Sequence, residues 1–281
     1  MKPDVNRRSL VLHAVCVAAF ALAIAVPAQA QQSAAAKKAP AATPAQAQAR
    51  EILMRMAAYL GGAEKYSVSL RAGYDAVQKS GQKIEFNETR KVVLSRPDKL
   101  RAEGERSDGA KTQVVFNGKE ITLVDGASNV YATAPQPGNI DHSIVYFVSD
   151  LGMRLPLAVM LLTRMPAELE ARVKSVDYVE KTAVLGKPAH HLAARTDTVD
   201  FQVWVADGDQ PVPLRVVITY KKAAGQPQFW AQFSDWNLAP AVSDATFAAQ
   251  IPAGARKIAF AAQLQRASMA ARKPSADKGA K

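Results

Sequence analysis

Cysteine is almost missing from these 281 residues: Cys16 is the only one. It falls in an N-terminal stretch that reads as a secretory signal. Arg7 and Arg8 give the positive start, Leu10 to Val26 the apolar core and Ala28-Gln29-Ala30 the small-residue cleavage site. Arg7-Arg8-Ser9-Leu10 also weakly resembles a twin-arginine signal, and both routes lead out of the cytoplasm, to a chain starting at Gln31 in the periplasm. His13, Ala14 and Val15 ahead of Cys16 do not make a lipoprotein-type cleavage site. The exported chain is therefore expected to have no disulfide, thiol nucleophile, cysteine metal site or cysteine-borne acyl anchor.

Histidine is scarce too. Beyond the signal there are His142, His190 and His191. His142, next to Asp141, fits a polar residue at a helix start. His190 and His191 are neighbours in a strand pattern, so they point to opposite faces and cannot hold one metal together; one is expected to face the core or a cavity and the other solvent. No H-x-x-x-H spacing, G-x-S-x-G elbow, phosphate loop or EF-hand loop occurs. Asp207-Gly208-Asp209 reads as a hairpin turn before it reads as a cation loop. No catalytic residue, metal site or cofactor is expected, and the chain is read as not an enzyme.

Outside the signal, no apolar run reaches the length of a membrane span. The longest, Leu151 to Leu162 (LGMRLPLAVMLL), is too short and is interrupted by Arg154 and Pro156.

Charge of one sign is concentrated at the two ends. The net charge is +11, yet residues 51–255 hold 23 Lys and Arg against 23 Asp and Glu. The excess is shared between residues 1–50, where Asp4 is the only acid, and the tail after residue 255, where Asp277 is the only acid. A basic tail on an exported chain argues against nucleic acid and is compatible with loose contact to an anionic membrane surface. Residues 31–49 are rich in Ala, Gln and Pro and read as a flexible leader, and 261–281 as a basic disordered or helical tail. Residues 50–260 remain for one domain.

What this domain contains is mostly β-strand pattern. Glu51 to Leu60 places Ile52, Leu53 and Met56 at helical spacing and ends at Gly61-Gly62. A meander of short strands follows, punctuated by Lys79-Ser80-Gly81, Arg96-Pro97-Asp98, Asn117-Gly118 and Asp125-Gly126. Residues 138–173 break the pattern with helices. Asn139 or Asp141 is the candidate N-cap of the first, which carries Ile144, Phe147, Val148 and Leu151 at i, i+3, i+4 and i+7. Gly152 ends it, Pro156 opens a second, apolar on nearly every side, and Pro166 a third. Alternation then resumes through five strands and a last one at Arg256 to Phe260. The expected fold is α+β: a large antiparallel sheet of about 11 strands, enough to curl, with the helices laid across it.

The three tryptophans and two phenylalanines, Trp204, Phe229, Trp230, Phe233 and Trp236, gather on two nearby strands. Alternation allows only one set to face inward. Phe229 and Phe233, with Val216 and Ile218, are favoured because the opposite set includes Gln232 and Ser234.

The block DFQVWVADGDQPVPLRVVITYKKAAGQPQFWAQFSDWNLAPAVSDATFAAQIPAGARKIAF, Asp200 to Phe260, together with RPDKLRAE, Arg96 to Glu103, resembles a family of predicted bacterial periplasmic proteins in the LolA/LolB lipoprotein-carrier superfamily. The resemblance implies a strongly curved, unclosed half-barrel whose concave side is covered by helices over an apolar cavity for acyl chains. The match to the carrier is architectural, so it transfers no lipoprotein-binding residue. On this reading the helices are a lid, with Gly152 and Pro156 as joints. Phe147, Leu151, Met153, Leu155, Val159 and Met160 face Val216, Ile218, Phe229 and Phe233 across an apolar ligand, a lipid or a lipoprotein's acyl chains. The alternative is an envelope sensor module of the same fold that binds a partner protein.

Overall fold

The structure, a computed structural model, describes residues 42–153 and 155–263. The secretory signal, the leader up to residue 41, Arg154 and the tail from residue 264 lie outside the described residues. Helix α1 (Pro44–Gly62) starts before the periodic stretch that reveals it. Thr43 and Gln46 form a capping box at its start and Pro44 occupies the first turn, so part of the Ala, Gln and Pro segment read as leader is helix. Ala49, Ile52, Leu53, Met56, Ala57 and Leu60 form its buried stripe.

Twelve strands form one sheet: β1 (Lys65–Val77), β2 (Lys83–Ser95), β3 (Lys99–Arg106), β4 (Lys111–Phe116), β5 (Glu120–Asp125), β6 (Val130–Pro135), β7 (Ser175–Val184), β8 (Lys187–Arg195), β9 (Val199–Ala206), β10 (Pro213–Tyr220), β11 (Gln228–Asn237) and β12 (Arg256–Lys257). Their order is β12-β6-β5-β4-β3-β2-β1-β11-β10-β9-β8-β7, curved and unclosed. All pairs are antiparallel except β12 with β6. The two meanders, β1–β6 and β7–β11, are thus joined by the pairing of β1 with β11 in the middle of the sheet.

That order explains the central insert. The chain leaves β6 near one edge and must enter β7 at the other. The ten inter-strand steps between them amount to about 50 Å along a flat sheet. Curvature shortens the path, and residues 136–174 take it over the concave side.

The insert is less helical than its sequence predicts. Helix α2 (Ile140–Val145) passes into a π-helical turn, Tyr146–Asp150; Ala158–Leu161 is a single 3-10 turn; only α3 (Met165–Arg172) is again α-helical. Pro156 does not open an α-helix: residues 156 and 157 form a turn, and the 3-10 turn that follows ends at once where Leu162 takes extended backbone (φ -81°, ψ 140°). The π turn also shifts the helical phase: Ile144, Phe147 and Leu151 are buried, while Val148 faces outward.

Behind the sheet, residues 238–255 run as a strap over the convex face. Phe247 packs on Val93 and Val115 there. Arg101 donates to the carbonyls of Thr246 and Ala248 (3.2 and 3.0 Å), and Lys99 pairs with Asp244.

Candidate functional site: two apolar cavities under a crossing segment

The concave face is built by alternation. On β1 the inward residues are Tyr66, Val68, Leu70 and Ala72; on β2 they include Leu94 and Val92; on β9 to β11 they are Phe201, Val203, Val205, Val216, Ile218, Phe229 and Phe233. The insert crosses this face and divides the space beneath it. One cavity, of about 240 Å³, lies toward β1–β5 and is bounded by Val68, Leu100, Val114, Phe116, Leu123 and Phe147, among others. The second, of about 330 Å³, lies toward β9 and β10 and is bounded by Leu53, Met56, Leu169, Phe201, Val216 and Ile218, among others. Leu155, Pro156, Leu157 and Met160 border both, so the segment 155–160 is the wall between them.

This wall is held firmly at its C-terminal end. The buried Tyr66 hydroxyl donates to the Met160 carbonyl at 3.2 Å. Arg96 donates to the carbonyls of Leu161 (3.0 Å), Ala63 (3.0 Å) and Leu60 (3.5 Å), tying the insert to the end of α1. Asp141 stands 3.9 Å from Arg96 and accepts from the Thr163 amide (3.0 Å) and hydroxyl (2.6 Å). Burial works against the Asp141 charge, but the two Thr163 bonds and the charges of Arg96 and Arg164 outweigh it and hold its carboxyl below the usual range. Burial also pushes the Tyr66 hydroxyl well above its ordinary value, with the Arg96 charge opposing. Asn139, not Asp141, caps α2, accepting from the His142 amide at 2.9 Å. Asp141 is left to brace the insert.

Of the residues named from sequence, Phe147, Met153, Leu155, Met160, Phe229 and Phe233 border the first cavity. Leu155, Val159, Met160, Val216 and Ile218 border the second. Leu151 is buried in the common core and borders neither. The sequence reading missed the first cavity's sheet wall, although Ile121 and Leu123 alternate clearly enough to have revealed part of it. It also missed Trp236. Strict alternation from Trp230 puts Trp236 outside, but Asp235 adopts φ +53° beside a register shift in the β1–β11 ladder. This irregularity turns Trp236 inward, where it packs on Tyr66 and Phe233 (centroids 5.6 and 5.8 Å) and borders the first cavity.

The histidines sit away from this space. His142 is exposed at the start of α2. His190 touches Tyr178 Oη (3.0 Å) and Asp207 (3.1 Å), and none of the three borders either cavity. His191, instead of meeting solvent, is buried on the other face by stacking on Trp204 at 4.0 Å and bonds to Gln202 at 2.9 Å. Arg215 lies between Trp204 and Trp230, 5.7 and 5.4 Å from their ring centres. Among the described residues no three His, Cys, Asp or Glu side chains gather closely enough to hold a metal.

Residues 49–261 match a family described as predicted periplasmic protein (DUF2092). The chain belongs to this family. The match spans both blocks on which the resemblance was read, and the structure gives the first a role: in Arg96 to Glu103, Arg96 anchors the insert inside the sheet while Lys99 and Arg101 anchor the strap outside. No curated protein matches this DUF2092 member in sequence. Among solved structures, it is similar to lipoprotein LppX of Mycobacterium tuberculosis (11% identity, 70% of this chain and 99% of that one, TM-score 0.46). It is also similar to the LolA superfamily protein NE2245 of Nitrosomonas europaea (10%, 72% and 97%, 0.37). A third likeness is to the MucA/MucB complex of Pseudomonas aeruginosa (19%, 72% and 61%, 0.39), where the match spans less than two thirds of the other chain.

Proposed function

We propose that this protein is a non-enzymatic periplasmic binding or carrier protein that shelters an apolar ligand, a lipid or the acyl chains of a lipoprotein, between the insert and the concave sheet. The observation that carries this reading is the shared wall: two apolar cavities are both bordered by Leu155, Pro156, Leu157 and Met160, in a segment anchored at Met160 and Leu161 with no α-helix of its own. The first cavity is somewhat below, and the second just within, the ~300–1,000 Å³ range of ligand sites. Displacing the wall would merge them into one groove. Burial of an acyl chain at ~0.8 kcal/mol per CH₂ supplies the affinity without a specific polar contact. The reading is supported by the N-terminal sequence, which has the pattern of an export signal with a cleavage site after Ala30 and leads to the compartment between the membranes. The basic residues beyond 255 support loose attachment to an anionic surface.

The experiment is native mass spectrometry of protein purified from the periplasm, with uptake of the uncharged dye N-phenyl-1-naphthylamine by delipidated protein. Bound lipid, and dye uptake weakened by Leu155→Asp in a protein that still folds, are the expected results. A ligand-free spectrum together with no dye uptake overturns the proposal.

One observation favours a sensor that binds a protein partner. Tyr74, Ile84 and Phe86 are 38, 40 and 45% exposed at the tip of the β1–β2 hairpin. In-cell crosslinking separates the readings, since a sensor traps one protein and a carrier traps lipid.

A further inference from the structure

From floor to tip, the inward row of β2 reads Leu94, Val92, Arg90, Glu88, Phe86 and Ile84. A cavity made for hydrocarbon alone has no use for the two charges in the middle, because holding an ion against apolar walls costs desolvation energy. Both nevertheless border the first cavity. Their side chains are only 12% (Glu88) and 30% (Arg90) exposed. They form a two-pronged pair, Arg90 Nε to Glu88 Oε1 at 2.7 Å and Nη2 to Oε2 at 3.1 Å.

The surroundings leave room for this pair. Arg90 is opposite Gly104 on β3. A Cβ at Gly104 would stand 3.0 Å from Thr112 Oγ1 and 3.6 Å from Arg90 Cγ, so glycine lets the arginine lie along the floor beside that hydroxyl. Arg106, opposite Glu88, is engaged by Asp108 at 2.6 Å and does not compete for it.

We propose that Arg90 and Glu88 form a head-group station for a zwitterionic phospholipid carrying a phosphate and a primary amine, as in a phosphoethanolamine head. This rests on the reading of the cavity as an acyl-chain site. The pair uses Arg90 Nε and one Nη2 hydrogen, leaving the Nη1 hydrogens and the second Nη2 hydrogen to reach a phosphate. Each Glu88 oxygen keeps a lone pair for an ammonium. A fatty carboxylate or any other lone anion brought to Arg90 meets the Glu88 charge at close range. A zwitterion converts one ion pair into four alternating charges, with none left unpaired beside the apolar wall. Acyl chains then extend past Val92 and Leu100 into the cavity, and Tyr74 stacked on Phe86 (5.9 Å) forms the apolar rim beyond the head group.

The test is displacement of N-phenyl-1-naphthylamine from the delipidated protein by dihexanoyl phosphatidylethanolamine and dihexanoyl phosphatidylglycerol, both below their micelle concentrations. Phosphatidylethanolamine is expected to displace the dye at about tenfold lower concentration, as one additional charge-assisted hydrogen bond implies. Glu88→Gln removes that advantage, and the charge-swapped pair Glu88→Arg with Arg90→Glu keeps it. Equal potency in the wild type, an advantage that survives Glu88→Gln, or its loss in a folded charge-swapped protein overturns the assignment while leaving the carrier reading intact. If the wild type takes up no dye at all, both fall together.

Discussion

Replacing Arg96 by leucine should destabilise the whole fold and release the insert. The side chain makes two hydrogen bonds of 3.0 Å to the carbonyls of Ala63 and Leu161 and a longer one to Leu60. Bonds from a charged donor contribute ~1.5–3 kcal/mol each, so the two short ones are worth about 3–6 kcal/mol. Leucine recovers part of this by burying apolar surface, ~1.5–3 kcal/mol, and by sparing the guanidinium its desolvation. Asp141 keeps its two bonds to Thr163, so it is not orphaned. The expected net loss is ~1–3 kcal/mol. With a urea slope of ~2 kcal/mol per molar, the unfolding midpoint falls by about 0.5–1.5 M at unchanged slope. Arg96→Lys keeps the charge but not the planar fork, and should lose about half as much. In parallel, hydrogen exchange at residues 155–161 should accelerate more than at the centre of the sheet. A leucine variant within ~0.5 kcal/mol of the wild type, or one indistinguishable from the lysine variant, refutes the anchoring argument.

Tyr66→Phe removes only the bond to the Met160 carbonyl and should lower stability by ~1 kcal/mol in thermal melts, with faster dye uptake. Asp141→Asn should be less stable than the wild type by ~1–2 kcal/mol at neutral pH. Because the folded carboxyl titrates below its unfolded value of ~3.9, that difference should hold above about pH 5 and shrink as the pH falls below about 4, measured by urea titration across the range. Gly73→Ala sets a Cβ 2.5 Å from Trp230 Nε1, in a ring already held by Glu85 and Arg215; a loss of ~1–3 kcal/mol with a changed tryptophan emission is expected.

Short-range chemistry made much of this protein legible from sequence. Asn117-Gly118 turned β4 into β5 with Gly118 at φ +87°, because only residues tolerant of positive φ fit there. Period-two patterning placed Phe229, Phe233 and Val216 on the buried face, because that face must be apolar wherever one side of a sheet is covered. The break at residues 138–173 marked the crossing between the two meanders, where the chain leaves the sheet for helical structure. The curled antiparallel architecture followed from those signals and from the family resemblance.

Other features depended on residues distant in sequence. That β1 pairs with β11, and that the insert must therefore cross the concave face, is a matter of topology. The Pro156 segment looked helical because its residues are apolar on every side, yet its carbonyls are bonded by Tyr66 and Arg96, 94 and 65 residues away. Trp236 faces inward only because a left-handed Asp235 and a register shift break the alternation there. Local patterning fixes which side of a strand is greasy. Where two strands meet, which cavities a crossing segment borders and which arginine holds it are settled by contacts that exist only once the sheet has curved beneath that segment.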